Sequence, residues 1–188
     1  ISASDPDGDS LTYSASTLPT GASFDAQTKI FAWTPTYDQS GSYPVTFNVS
    51  DGSLIASETI DITVNNVNRV PVLAAIGNKS VAENQLLNFT ITGSDPDGDS
   101  LTYSATGLPT GASFNTTTHA FSWTPDYTQA GNYPLSFTVS DGSLTASENI
   151  TITVTNLNRA PLLNAIGNRT VNEGESLSFT ISASDPDG

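Results

Sequence analysis

The chain has 188 residues, with 19 acidic side chains against 5 basic and a formal net charge of −14. That excess argues against nucleic acid as a partner, because binding a polyphosphate needs a basic face, and against direct contact with an anionic membrane surface. There is no Cys, which excludes disulfides, thiol catalysis and Cys-ligated zinc, and no apolar run approaches the ~20 residues of a membrane helix. Ser and Thr supply 51 of the 188 residues while charged residues are only 13%. Short half-buried strands with hydroxyl-rich outer faces have this profile, so an all-β fold is expected.

An internal repeat sets the organisation. Ile1–Gly8 reads ISASDPDG, Ile91–Gly98 reads ITGSDPDG and Ile181–Gly188 reads ISASDPDG, a spacing of 90 residues each time. Residues 1–90 align with 91–180 without a gap, and 58 of the 90 positions are identical. Asn-rich segments closed by proline, at Asn66–Pro71 and Asn156–Pro161, are the expected linkers. Residues 71–160 are then one complete repeat, 1–70 a repeat lacking its first strands, and 161–188 the first strands of a third. The chain opens at Ile1 without Met, and is expected to be a window on a long repetitive polymer. Two forms of polymer stay open: a continuous polyprotein, or separate subunits in which 161–180 of one completes 1–70 of the next by strand addition.

Within the complete repeat, alternation of apolar and polar residues marks the strands. In chain order these contain Leu87, Phe89 and Ile91; Leu101, Tyr103 and Ala105; Phe121 and Trp123; Tyr133, Leu135, Phe137 and Val139; and Ile150, Ile152 and Val154. Turn signals separate them at Asp95-Pro96-Asp97-Gly98, Leu108-Pro109-Thr110-Gly111, Ala130-Gly131-Asn132 and Asp141-Gly142. Pro134 points to an edge or a strand start. Glu148 lies in phase with the inward Ile150, which a bulge or the rim of a sandwich would explain. About seven short strands in ~90 residues, with no helical period, predict a Greek-key β-sandwich.

Three carboxylates, Asp95, Asp97 and Asp99, lie at i, i+2 and i+4, with Gly98 allowing a tight bend. Asp5, Asp7 and Asp9 repeat the pattern. Hard oxygens clustered on a short loop suit Ca²⁺, which takes six to eight oxygen ligands.

The segments DPDGDSLTYSATGLPTGASF, FSWTPDYTQAGNYPLSFTVSDGS and ITITVTNLNRAP resemble the bacterial and archaeal immunoglobulin-like repeats, and are similar to dystroglycan-type cadherin-like repeats. The order of Val81-Ala82-Glu83-Asn84, the Asp-rich loop, Ser140-Asp141-Gly142 and Asn158-Arg159-Ala160-Pro161 resembles cadherin repeats as well. The resemblance covers essentially the whole chain. It implies extracellular or cell-surface tandem sandwiches that serve in adhesion and as spacers, often stiffened by calcium between domains. It brings Asp141, and Asp51 in the first copy, to the pole of the Asp-rich loop, and adds linker oxygens from Asn66 and Asn68. At the second junction the corresponding set is Asp185, Asp187, Asn156 and Asn158, with Glu83 and Asp126 from the repeat before.

Departures from the cadherin pattern leave alternatives to calcium. Trp33-Thr34-Pro35 and Trp123-Thr124-Pro125 stand where cadherins carry an acidic pair, and Arg69 and Arg159 stand in place of a linker Asp. A guanidinium could replace the metal by a bidentate salt bridge to the acidic loop, or the loop could be a solvated acidic turn.

Other motifs carry less. His119, whose counterpart is Lys29, is expected in an exposed turn, and Trp33 and Trp123 as core anchors rather than sugar platforms. Leu108-Pro109-Thr110-Gly111 reads as a turn rather than a sortase signal, and an isopeptide crosslink from Lys29 or Lys79 is disfavoured because the other copy has His119 and Arg169. Six sequons, at Asn48, Asn78, Asn88, Asn115, Asn149 and Asn168, make glycosylation an option in a secreted chain. No acid/base pair or Ser/His/Asp set shows catalytic logic, so the expected function is structural or adhesive, not enzymatic. The expected partners are neighbouring repeats of the same polymer, with a surface glycan or cell-surface protein as a further option. The alternative is a carbohydrate-binding or spacer module of a secreted polysaccharide-degrading enzyme.

Overall fold

Side chains alternate across a strand, so a period-two pattern buries one face and leaves the other in water. That pattern becomes strand through most of the computed structural model up to Thr155, and the structure describes residues 1–187 in two units divided in sequence between Asn68 and Arg69. Among the described residues no helix is long and apolar enough to cross a membrane.

The first unit contains β1 (Thr12–Ser16), β2 (Ser23–Asp25), β3 (Ile30–Ala32), β4 (Gly41–Ser50) and β5 (Ile55–Val64). They form an antiparallel sheet in the order β1-β4-β5 and a β2-β3 hairpin.

The second unit begins with β6 (Val72–Leu73), β7 (Lys79–Ala82), β8 (Leu87–Thr90), β9 (Gly93–Ser94) and β10 (Thr102–Thr106). It continues with β11 (Ser113–Asn115), β12 (Ala120–Trp123), β13 (Gly131–Ser140) and β14 (Thr145–Thr155), then the short β15 (Leu162–Leu163) and β16 (Ala183–Ser184). One sheet runs β10-β13-β14-β7 and the other β11-β12-β8, with two-stranded ladders β6-β9 and β15-β16. All pairs are antiparallel except β14 with β7, which is parallel in the register Ile152↔Lys79 to Thr155↔Ala82.

The core lies between these two sheets. Ile91, Phe121, Trp123, Leu135, Phe137, Ile150, Ile152 and Val154 are buried, with Leu87, Phe89 and Phe114 packed against them. The two copies of the repeat show what closes it. Ile150 is 2% exposed, whereas its equivalent Ile60 is 41% exposed. In the ninety-residue register the equivalents of β6, β7 and β8 fall before Ile1. Those strands cover the inner face in the second unit, through β7 on β14 and β8 on β12.

Local irregularities have physical causes. Pro134 sits inside β13, but β10 pairs only from Ser136 to Ser140, so the proline without an N–H lies beyond the covered stretch. Beside it Gly107 adopts φ 77°, where a Cβ would meet the Pro134 carbonyl at 2.8 Å. The register of β13 with β14 is unbroken from Gly131↔Val154 to Ser140↔Thr145, so no bulge accommodates Glu148. Its carboxylate instead accepts the Ile76 and Gly77 N–H groups at 2.7 and 2.8 Å, tying the segment before β7 to the sheet. These two bonds, and more weakly the Lys79 charge, hold the Glu148 carboxyl below the ordinary carboxylate range.

Two outcomes follow for unfolding in urea, followed by the single tryptophan of the second unit in a Trp33→Phe background. Ile150→Ala should cost about 3 kcal/mol, as for a buried isoleucine, while Ile60→Ala, read through Trp33 in a Trp123→Phe background, should cost less than about half of that. Because the Glu148 pKa is lowered in the folded state, its contribution is present above the ordinary glutamate pKa of about 4.3 and is lost as pH falls through the folded value. Glu148→Gln should therefore destabilise the second unit by about 2 kcal/mol near neutral pH and flatten its loss of stability below pH about 4.

Candidate functional site

The acidic residues singled out by the sequence are mostly bound to backbone. In the loop after β9, Asp95 Oδ1 accepts the N–H groups of Asp97 (2.8 Å) and Asp99 (3.3 Å), folding the segment back on itself, while Gly98 takes φ 82°. Asp5 binds the Asp7 and Asp9 amides in the same way at 2.8 and 3.2 Å, and Asp185 binds that of Asp187 at 2.9 Å. Asp141, in the β13–β14 turn, accepts the Ser143 and Leu144 N–H groups, both at 2.6 Å. Asp51 does so for Ser53 and Leu54 at 2.6 and 2.7 Å, and the Leu54 bond first, then that from Ser53, lowers its pKa. An acceptor is all such a turn requires. Asp25 and its equivalent Asn115 cap the same turn, each through Oδ1 to two amides.

Glu83 is the only buried charged residue among the described residues, at 1% exposure. Its Oε2 accepts the Leu157 N–H at 2.9 Å, so a carboxylate after β7 holds the linker that leaves β14. Asn156 and Asn158 on that linker are exposed, as is Asn66; Asn68 is half-buried.

Asp97 and Asp187 are the exceptions, since an arginine grips each. Arg69 donates its backbone N–H to Asp97 Oδ2 at 2.6 Å, its Nε to Oδ1 at 2.8 Å and its Nη2 to the Pro96 carbonyl at 2.5 Å. Arg159 donates N–H and Nε to the two oxygens of Asp187 at 2.6 and 2.7 Å, and Nη2 to the Pro186 carbonyl. The Asp97 side chain is 5% exposed and that of Asp187 10%. The Arg159 backbone bond, then its side-chain bond, lowers the Asp187 pKa. Sequence reading named both arginines but missed Tyr127, whose ring lies 4.5 Å from the Arg159 guanidinium carbon. The signal available was the tyrosine kept in both copies, Tyr37 and Tyr127, amid changing neighbours.

Calcium, which the cadherin resemblance implies, would need these same oxygens. Among the described residues no three His, Asp or Glu side chains are grouped so as to hold a metal ion. One buried carboxylate oxygen of the loop, Asp95 Oδ2, is without a hydrogen-bond partner. The loop as arranged engages a guanidinium through Asp97, and through Asp187 in the next copy.

Both tryptophans serve the interior. Trp123 is 1% exposed, donates Nε1–H to the Thr110 carbonyl at 3.2 Å and meets Tyr133 edge-on at 4.9 Å. Trp33 repeats this with Thr20 and Tyr43. Thr110 belongs to the Leu108–Gly111 turn, closed by the Ala112 N–H on the Pro109 carbonyl. His119 is in a turn as expected, yet half-buried and left-handed (φ 56°), its ring stacked on Tyr103 at 3.8 Å. Lys29 takes the same backbone conformation, with its ammonium 4.4 Å from the Tyr13 ring.

Comparison with known proteins places this geometry. The model of the family described as "Putative Ig domain" matches residues 1–65 and 70–155. The chain is similar to Chitinase A of Pseudoalteromonas piscicida, 31% identical over 157 residues covering 81% of this chain and 19% of the chitinase. It is also similar to the serine-rich adhesin for platelets of Staphylococcus aureus strain USA300, 31% identical over 135 residues covering 71% of this chain and 6% of the adhesin. The chain thus spans a fifth or less of these relatives. Among solved structures it resembles human protocadherin-24 EC1-2, with TM-score 0.51, 16% identity and coverage of 81% of this chain and 85% of that one. This last likeness concerns the fold alone, an all-β immunoglobulin-like and cadherin-like sandwich.

The role of Asp141 is open to a direct check. Asp141→Ala should cost the second unit about 1 kcal/mol of stability. Asp141→Asn, which keeps the acceptor, should unfold within a few tenths of wild type, with or without calcium. A charge requirement seen only in calcium would instead place Asp141 in a metal set.

Proposed function

Because the chain belongs to the Ig-domain family whose model it matches, we propose that it is a non-catalytic segment of an extracellular structural or adhesive protein. Its ninety-residue sandwiches, 71–160 complete and flanked by parts of its neighbours, follow one another in a fibre or stalk. The observation that carries this reading is the gap-free repeat, in which 58 of 90 positions are identical, including the linker arginine and the Asp-rich loop. In such arrays stability is a sum of domain cores and nearest-neighbour joints.

The relatives support the same reading. A chitinase and a platelet adhesin differ in what their names say they do, and this chain matches only 19% and 6% of their lengths. A segment common to both is best understood as a module that spaces or presents something else. The reading agrees with the use of Trp33 and Trp123 inside the sandwich and of the acidic side chains on backbone amides. Calcium at the joints is the finer form that the cadherin resemblance implies, and the arginine is its competitor. The chitinase match favours a second reading, a sugar-binding or spacer module of a secreted polysaccharide-degrading enzyme.

Deleting residues 71–160 from the whole natural polypeptide should shorten it by about 40–45 Å, a strand length at 3.3 Å per residue plus loops and linker. Small-angle scattering or rotary-shadowed images would measure the change. The adhesion or hydrolysis of the flanking parts should remain. Loss of that activity without shortening would sink the spacer reading, and retention of the isolated chain on insoluble chitin would favour the sugar-binding one.

A further inference from the structure

The linker after the complete repeat is gripped from both sides. Behind it, Glu83 Oε2 accepts the Leu157 N–H at 2.9 Å. Ahead of it, the two oxygens of Asp187 accept the Arg159 N–H and Nε–H at 2.6 and 2.7 Å, and Nη2 donates to the Pro186 carbonyl. The guanidinium also lies over Tyr127, 4.5 Å from its ring centroid, and Tyr127 belongs to the β12–β13 loop of the repeat behind. Arg159 therefore touches the preceding repeat with its face and the following one with its edge.

We propose that Arg159 is the resident cation of this joint, and that Tyr127, Glu83 and the linker form a receptor for the Asp-Pro-Asp-Gly loop of the next repeat. The guanidinium does what a bridging metal would do: it neutralises the acidic loop and fixes it against the neighbouring pole. Only arginine offers both a planar face for the ring and edge donors set to reach the Asp187 carboxylate and the Pro186 carbonyl together, and charge-assisted bonds of this kind are the strong ones. With Oδ1 of Asp187 on the guanidinium and Oδ2 on the Arg159 backbone N–H, a calcium ion would have to displace both donors to take the carboxylate whole. The forward half of the arrangement recurs ninety residues earlier, where Arg69 makes the same bonds to Asp97 and Pro96. Two independent copies make it a property of the repeat. The joint is consequently metal-independent and depends on the guanidinium group itself. This proposal rests on the spacer reading for its biological use, whereas its geometry is a property of the chain alone.

The experiment is amide hydrogen exchange of residues 155–161 in the full 188-residue chain, with millimolar calcium and with excess chelator. Wild-type protection should be equal in both conditions. Arg159→Gln should speed exchange at positions 157 and 159 on the order of tenfold. Arg159→Lys should do nearly the same, because a point charge supplies neither fork nor plane, and Tyr127→Leu should act in the same direction from the other side. Protection of β13 and β14 and the Trp123 emission should be unchanged, which shows that the sandwich remains folded. Linker protection that falls on chelation, or that survives Arg159→Gln, overturns the proposal. A failure of the spacer reading appears separately, in the deletion experiment.

Discussion

The sandwich depends on one ring. Phe137, fully buried at the centre of β13, takes the edges or faces of Phe89, Phe114 and Phe121 at 5.8, 5.5 and 6.1 Å. Those three side chains come from β8, β11 and β12, the whole of the opposite sheet. With no cysteine to form a disulfide, the contact between inner faces must supply most of the stability. Edge-on aromatic pairs add about 0.5–1.5 kcal/mol each beyond their buried area. In the first unit Phe47 keeps the equivalents of two partners, Phe24 and Phe31, at 5.6 and 6.0 Å. The equivalent of Phe89 falls before Ile1, and Ile60 is exposed accordingly.

Given that core, the charged residues have mainly local tasks. A sandwich leaves backbone amides unpaired where strands turn at its poles, and buried N–H groups without partners are costly. Asp95, Asp141, Glu83 and Glu148 each direct a carboxylate oxygen at such amides. The basic residues are committed as well. Lys29 lies over Tyr13, Lys79 over Phe89, Arg159 over Tyr127 and Arg169 over Phe179, and Arg69 is bound to Asp97. The net charge of −14 thus coexists with cations that are held in place by rings and carboxylates.

The strands were legible in the sequence because alternation is a local signal, and residues such as Phe137 and Ile150 face inward as it predicts. The targets of the carboxylates were not. Glu148 binds amides 71 and 72 positions away, and Glu83 binds one 74 positions away. Sequence spacing shows that three aspartates share a loop, but not that the loop's own amides and a linker guanidinium take their oxygens first. The same limit hid Tyr127: its ring meets Arg159 only because the end of β14 returns to the pole where the β12–β13 loop lies. The ring of His119 on Tyr103 is likewise a contact, between the β11–β12 turn and strand β10, that the turn motif could not reveal.

A repeat that carries its own cation has a consequence that a metal-bridged one lacks. A bound ion is shared with the solution, so the stiffness of a metal-bridged array follows the free ion concentration by mass action. A guanidinium on the linker is present once per joint by covalent connection, and its effective concentration is set by the chain. What could loosen it is salt, which screens exposed charges with a decay length of about 10 Å at 0.1 M. That screening is limited here, because the Asp187 side chain is only 10% exposed and the Tyr127 ring lies against the guanidinium. A stalk built on such joints would hold its stiffness across environments that differ in calcium, and its mechanical properties would be written in the linker sequence.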